Sequence, residues 1–220
     1  MPRMPPRRRR SRLGTLCLST LLVAACASPP ARYYTLTTAA QPSSRSNVST
    51  GLSVSTISSA APPATSTLAI AVGPVTVPAL VDRPQIVVSS GGNEVRLDEY
   101  RRWASPLQDN IARVVADDLV TLLATPRVAV LAPSGAADAR YRVTIDVHSF
   151  VSHPGVSARL DATWSVRRVA DDASRSDRTT ARVAVTDASY DALAGAHSSA
   201  LAQISAAIAA AIGELEQTGR

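Results

Sequence analysis

The chain has 220 residues, a formal net charge of +6 and a sequence pI near 10.1, a balance that would ordinarily point to a nucleic-acid partner. The distribution excludes that reading: every basic residue is an arginine, six of the 23 lie between Arg3 and Arg12, and from Cys26 onward 17 arginines face 17 carboxylates. With only 4% aromatic residues, the chain is also poorly equipped to line a large lipid cavity.

Residues 1–25 have the anatomy of a signal peptide. The arginines come first, and a thirteen-residue run from Leu13 to Ala25 follows, interrupted by Gly14, Thr15, Ser19 and Thr20. A spanning helix needs about 20 apolar residues, so this run is too short to be one, and no later stretch is expected to cross a bilayer. Val23-Ala24-Ala25-Cys26 resembles a bacterial lipobox, in which the chain is cut before a cysteine whose thiol already carries a diacylglyceryl group. Cys26 is therefore the expected lipidation site, and several acyl chains on one residue make a stable anchor where a single chain would be marginal. Ala27, in place of the aspartate that often marks inner-membrane retention, favours the outer membrane. Cys17 leaves with the leader and Cys26 is acylated, so no disulfide within the mature chain is expected.

Residues 26–36 read as the anchor followed by a short strand, because Tyr33-Tyr34-Thr35-Leu36 is β-prone. From 37 to 67 the composition shifts: 23 of 31 residues are Ser, Thr, Ala or Pro, and Arg45 is the only charge. Such a stretch cannot bury enough apolar area to offset its ordering entropy, so it is expected to be flexible, with ends roughly 30 Å apart as a random coil. If Tyr33 to Leu36 pairs into a sheet, the stretch is a surface loop and the domain sits close to the membrane.

The folded domain is expected over 68–218. Leu68 to Leu80 reads as a strand with a break or bulge at Gly73-Pro74, and Arg83-Pro84 as a turn. Ile86-Val87-Val88 and Val95-Arg96-Leu97 flank Ser89-Ser90-Gly91-Gly92-Asn93 as a hairpin. Ser105-Pro106-Leu107-Gln108 fits a capping box, with Ser105 as N-cap. Leu107, Ile111, Val114, Val115, Leu119 and Leu122 then recur at helical spacing, with Asp117 and Asp118 placed on the solvated face. After Thr125-Pro126 and a short strand at Val128 to Leu131, three strands alternate with period two. Tyr141, Val143, Ile145 and Val147 face inward in the first, Val156 to Val166 in the second, and Ala181, Val183 and Val185 in the third. Arg159, Asp161 and Arg167 face outward, which suits a sheet covered on one side. A last helix from about Tyr190 to Glu216 carries the stripe Leu201, Ile204, Ile208, Ile212 and Leu215. The expected fold is α/β: a single domain with an antiparallel or mixed β-sheet and two helices packed on one face.

Catalytic signatures do not emerge. His148, His153 and His197 form no metal-ligand spacing and read as surface or partly buried residues. The chain contains no G-x-S-x-G, phosphate loop or dinucleotide fingerprint, and Gly91-Gly92 is better read as a hairpin turn. No enzyme activity, metal or cofactor is expected beyond the covalent lipid on Cys26.

Several segments in fixed order carry a resemblance. They are the lipobox, Tyr33 to Leu36, Gly73 to Pro78, Asp82-Arg83-Pro84-Gln85-Ile86-Val87, Arg102-Trp103 with Pro106-Leu107, Leu160-Asp161-Ala162-Thr163-Trp164, and the Ala-rich helix around Ala200-Leu201. Together they resemble the ABC-type transport auxiliary lipoprotein family, although the Ser/Thr-rich stretch is long for it. The resemblance implies a non-catalytic lipoprotein on the periplasmic face of the outer membrane. Its partners would be an inner-membrane ABC permease and proteins with mammalian-cell-entry (MCE) domains that carry lipids between membranes; assembly with further copies of itself stays open. It also marks Arg83, Arg102 and Trp103 as candidate partner-binding residues: Arg83 pairing with Asp82 or a partner carboxylate, Arg102 stacking on Trp103, Trp103 as an interface anchor. The plainer roles, Arg83 holding its turn and Trp103 packing in the core, stay open beside these; Trp164 reads as core. The competing functional reading is an envelope scaffold or secretion-system assembly lipoprotein unrelated to lipid transport.

Overall fold

The computed structural model describes residues 29–38, 68–130 and 138–218. The leader, Cys26, the Ser/Thr-rich residues from 39 to 67 and Leu131 lie outside them. The fold belongs to the unit that begins at Ala31.

Eight strands and two helices are described: β1 (Arg32–Tyr34), β2 (Ile70–Thr76), β3 (Gln85–Gly91), β4 (Glu94–Trp103), α1 (Leu107–Leu122), β5 (Val128–Val130), β6 (Tyr141–His153), β7 (Ser157–Arg168), β8 (Ser174–Ala184) and α2 (Tyr190–Thr218). The expected mixed α/β fold with two helices is what the chain adopts, with the strands divided between two sheets. A five-stranded sheet has the order β5-β2-β6-β7-β8, and a three-stranded sheet the order β1-β4-β3. Parallel pairs join β2 to both β5 and β6, and β1 to β4, while the hairpin strands pair antiparallel. The break expected at Gly73-Pro74 is a register shift between Val72 and Val75, with a cis peptide bond at the proline. Gly91 and Gly92 turn the β3–β4 hairpin at positive φ (103° and 58°), where a side chain would be strained.

One face of the five-stranded sheet is apolar and buried by the helices. Tyr141, Val143, Ile145 and Val147 alternate with more exposed neighbours along β6. Along β7, Ala158, Leu160, Ala162, Trp164 and Val166 alternate with Arg159, Thr163, Ser165 and Arg167, which are more exposed, and with Asp161, which is not. The expected inward Val156 instead lies exposed in the turn between those strands. α2 packs on β7 and β8, and α1 on β2, β5 and α2. Among the described residues α2 is the one helix long and apolar enough to cross a membrane, contrary to the expectation that no segment after the leader would be. Its stripe of Leu193, Leu201, Ile204, Ile208, Ile212 and Leu215 is spent on the sheet.

Three polar residues expected at or near the surface are buried. Asp118 is 5% exposed, because α2 crosses α1 there and Ser205 donates its hydroxyl to the carboxylate at 2.8 Å. Asp161 does point to the open side of the sheet, but the Arg178 guanidinium closes over it with two bonds of 2.7 and 2.8 Å. That pairing holds its carboxyl down at about 2. His197 is buried with its ring stacked on Phe150 at 3.8 Å, and shares a 2.8 Å hydrogen bond between Nε2 and the Ser152 hydroxyl. Burial pushes the imidazole down to about 3, so it is neutral in the fold.

The capping box at α1 does not form. Helical geometry begins at Leu107, with extended Pro106 (φ −48°, ψ 136°) at the cap and no side chain closing it. The Trp103 N–H bonds Pro84 O at 2.7 Å and the Ala104 N–H bonds Tyr34 O at 2.8 Å. The chain is thus held in strand pairing until two residues before Pro106, and Ser105 cannot curl its hydroxyl over the first turn.

Candidate docking groove

The groove is built where β4 hands over to α1. The turn before β3 is closed by Val81 and Asp82 N–H groups on Pro78 O (2.9 and 3.1 Å) and by Arg83 N–H on Val81 O (2.9 Å). The Trp103 to Pro84 bond then fixes this turn against the end of β4. Asp82, Arg83, Pro84, Trp103, Ala104, Ser105 and Pro106 enclose a cavity of about 360 Å³ open to one side. Its floor is apolar and rigid: Trp103 is 6% exposed and meets Phe150 edge to face at 6.0 Å, and Phe150 in turn stacks on His197.

Two buried polar atoms of the lining have no protein partner: Arg83 Nε and Ser105 Oγ. Gln108 Oε1 and Asn110 Nδ2, in the first turn of α1, are likewise unpaired. An unsatisfied buried donor or acceptor costs about 1–3 kcal/mol, so a ligand that completes these bonds gains what the free domain forgoes. Arg83 forms no ion pair with Asp82 or with any other carboxylate among the described residues. A half-buried cation, a hydroxyl and a rigid apolar floor suit an extended segment bearing a carboxylate or a carbonyl-rich backbone.

The sequence-derived candidates separate here. Arg83 and Trp103 come together in the groove, twenty residues apart in the chain. Trp103 contributes a mostly buried face, so it is floor and core at once rather than an exposed anchor. Arg102 goes elsewhere: successive strand residues point to opposite faces. Its Nε donates to Glu99 O at 2.9 Å and its guanidinium lies 3.5 Å from the Glu99 carboxylate, which replaces the expected stacking on Trp103. The sequence marks Ser105 only as a cap. Its failure to cap is what leaves the hydroxyl in the groove, and nothing in the local pattern signals this. Cys26 lies outside the described residues.

Two hydroxyl–imidazole pairs occur among the described residues. Ser152 with His197 is sealed from solvent (2% and 1% exposed) with its second ring nitrogen unpartnered. Thr163 with His148, 2.7 Å apart and with the Asp146 carboxylate 3.7 Å from Nδ1, lies on the exposed face of the five-stranded sheet, away from the groove. No group of three or more metal-ligating side chains is found among the described residues.

Comparison with solved structures places the fold. A protein described only as uncharacterized matches at a TM-score of 0.58 and 18% identity, over 66% of this chain and 92% of that one. The protein XCC0632 from Xanthomonas campestris matches at 0.55 and 19%, over 69% and 88%. PelC from Paraburkholderia phytofirmans, solved as a dodecamer, lies further off at 0.40 and 13%, over 63% of this chain and 87% of that one, and carries no argument here. No curated protein matches the chain. The sequence model of the ABC-type transport auxiliary lipoprotein component matches residues 51–209, and the chain belongs to that family.

Proposed function

We propose that this auxiliary lipoprotein is anchored through lipid on Cys26 to the periplasmic face of the outer membrane. There it serves an MCE-type ABC lipid transport system as a non-catalytic docking component. The partner, an MCE-domain protein with its permease, engages the groove at Arg83 and Trp103. The observation that carries the docking site is the unpaired state of Arg83 Nε and Ser105 Oγ over the rigid Trp103 floor. Lipid passes through the assembly rather than through this domain, which has few aromatic side chains to line a large cavity.

The test is co-purification from mildly solubilised envelopes, with proteins and lipids identified by mass spectrometry. Wild-type protein is expected to bring down an MCE-domain protein with its permease, and Arg83→Glu to lose them while remaining folded. High-yield recovery of secretion or cell-wall components without any MCE protein would overturn the transport reading.

A further inference from the structure

We infer that the outer face of the three-stranded sheet rests on the phospholipid surface of the membrane to which the chain is anchored, an inference that rests on the lipid-anchor reading of Cys26. Several exposed large apolar side chains gather on two neighbouring strands: Tyr33 on β1 (64% exposed), and Val95 (45%), Leu97 (41%) and Tyr100 (37%) on β4. Directly opposed strand residues share a face. Leu97 stands beside Val87, Val95 beside Ser89, and Tyr33 beside Arg102, which stands beside Gln85 on its other side. Ile86 and Val88 point the other way, into the core. One outward face thus exposes Tyr33, Val95 and Leu97, packed around Val87, which is itself only 8% exposed, with Arg102 at its margin.

Chain length brings the membrane to this face. Five residues lie between Cys26 and Arg32, and the six steps span at most about 22 Å even fully extended. β1 runs parallel to β4 with Arg32 beside Arg101, so the chain enters β1 from the side on which β4 begins. From Arg101 back to Glu94, at the hairpin end, is about 23 Å of strand. The reach of the anchor and the length of the hairpin are therefore the same size.

The chemistry of the face suits a bilayer surface. Tyrosines favour the headgroup level, where ring and hydroxyl meet different surroundings. On β1 and β4, Arg32, Arg96, Arg101 and Arg102 nearly balance Glu94, Asp98 and Glu99. Contact is then made by apolar and aromatic side chains, and its salt dependence is small. The fold also supplies a far end. Tyr190 at the start of α2 donates to Asp98 of β4 at 3.0 Å, while Leu215 near the end of α2 accepts from Arg168. Those points lie about 38 Å apart along the helix, so the turn carrying Val169 between β7 and β8 is held away from the bilayer.

The test uses the full acylated protein reconstituted into vesicles of phosphatidylethanolamine and phosphatidylglycerol, with bromine on the upper acyl carbons as the quencher. Leu97→Trp, and Val95→Trp as a second reporter, are compared with Val169→Trp. The native Trp103 and Trp164 are buried and give a constant background. Quenching of the Leu97→Trp and Val95→Trp signals several-fold beyond that of Val169→Trp, nearly unchanged by added salt, is expected. Acylated, vesicle-bound protein in which all three are equally unquenched would overturn the inference and leave the anchor standing. So would shielding of position 97 that vanishes on dilution, the mark of a second copy of the chain. Protein found without acyl chains would remove the anchor reading, and this inference with it.

Discussion

The two ends of the domain treat an arginine in opposite ways. Where α2 finishes, Arg168 is fully engaged: Nε and one terminal nitrogen grip Asp171 at 2.8 and 2.7 Å, and the other donates to Leu215 O. Tyr141 joins the same cluster, donating to Glu216 at 2.6 Å, with Arg140 3.2 Å from that carboxylate. Where α1 starts, Arg83 has a buried nitrogen with no partner, beside a hydroxyl in the same state. A cation whose donors are all spent inside the chain fastens the helix to the sheet. One with donors left over keeps binding capacity for a partner, at a standing cost to the free fold.

That contrast breaks first at Arg168. Replacing it with methionine leaves Asp171, itself half exposed, to water, but takes the donor from Leu215 O and frees the last turn of α2. We expect the melting temperature to fall by roughly 6 °C, the largest effect of any single charge removal here. A drop no larger than that of an exposed arginine such as Arg182 would mean the cluster is decoration.

The next largest effect is a pH dependence. His197 is neutral in the fold, with its imidazole pushed down to about 3, and titrates near 6.5 when unfolded. Between those values the unfolded chain binds the extra proton. Stability is therefore complete above about pH 6.5 and falls by about 1.4 kcal/mol per pH unit from this group as the medium is acidified towards 3. Urea unfolding at successive pH values checks the slope. The double variant His197→Phe with Ser152→Ala, which keeps the ring stack and leaves no orphaned hydroxyl, should flatten it.

Much of this was legible in the chain. Alternation placed β6 and β7 but only the end of β8 from Ala181, since its first residues are nearly all exposed and polar; helical spacing placed α1, and the Gly-Gly-Asn turn placed the β3–β4 hairpin. What stayed hidden depends on partners remote in sequence. Asp118 looks solvated until Ser205 arrives from α2, and Asp161 looks outward until Arg178 on the next strand covers it. The division into two sheets follows from parallel pairing of β1 with β4 and of β2 with β6, which periodicity cannot encode because it fixes faces, not neighbours. At the groove the motif residues Arg83 and Trp103 were visible but their meeting was not, since it depends on one backbone bond from Trp103 to Pro84. Period-two logic, by contrast, already separates Arg102 from Trp103.

A smaller effect is expected at the open face of the five-stranded sheet. Asp161, held at about 2 chiefly by the Arg178 hydrogen bonds, contributes stability present above the unfolded carboxyl value near 3.9 and lost as pH falls through 2. Asp161→Asn should cost about 1 kcal/mol at neutral pH, since Arg178 itself is largely in water. The smallest change in stability belongs to Arg83→Met, within about 0.5 kcal/mol of wild type by urea unfolding, because no bond is broken. A marked loss there would assign Arg83 to holding its turn and end the contrast with Arg168.

The alanine-rich character of α2 reaches back to biosynthesis. Its stripe of leucine and isoleucine approaches what a secretion channel hands over sideways to the lipid, yet a lipoprotein domain has to travel through that channel whole. Alanine keeps the segment helical while contributing far less to membrane partitioning than leucine, and Glu214 and Glu216 raise the cost at its end. The same alanines, four of them buried, let α2 lie close over β7 and β8.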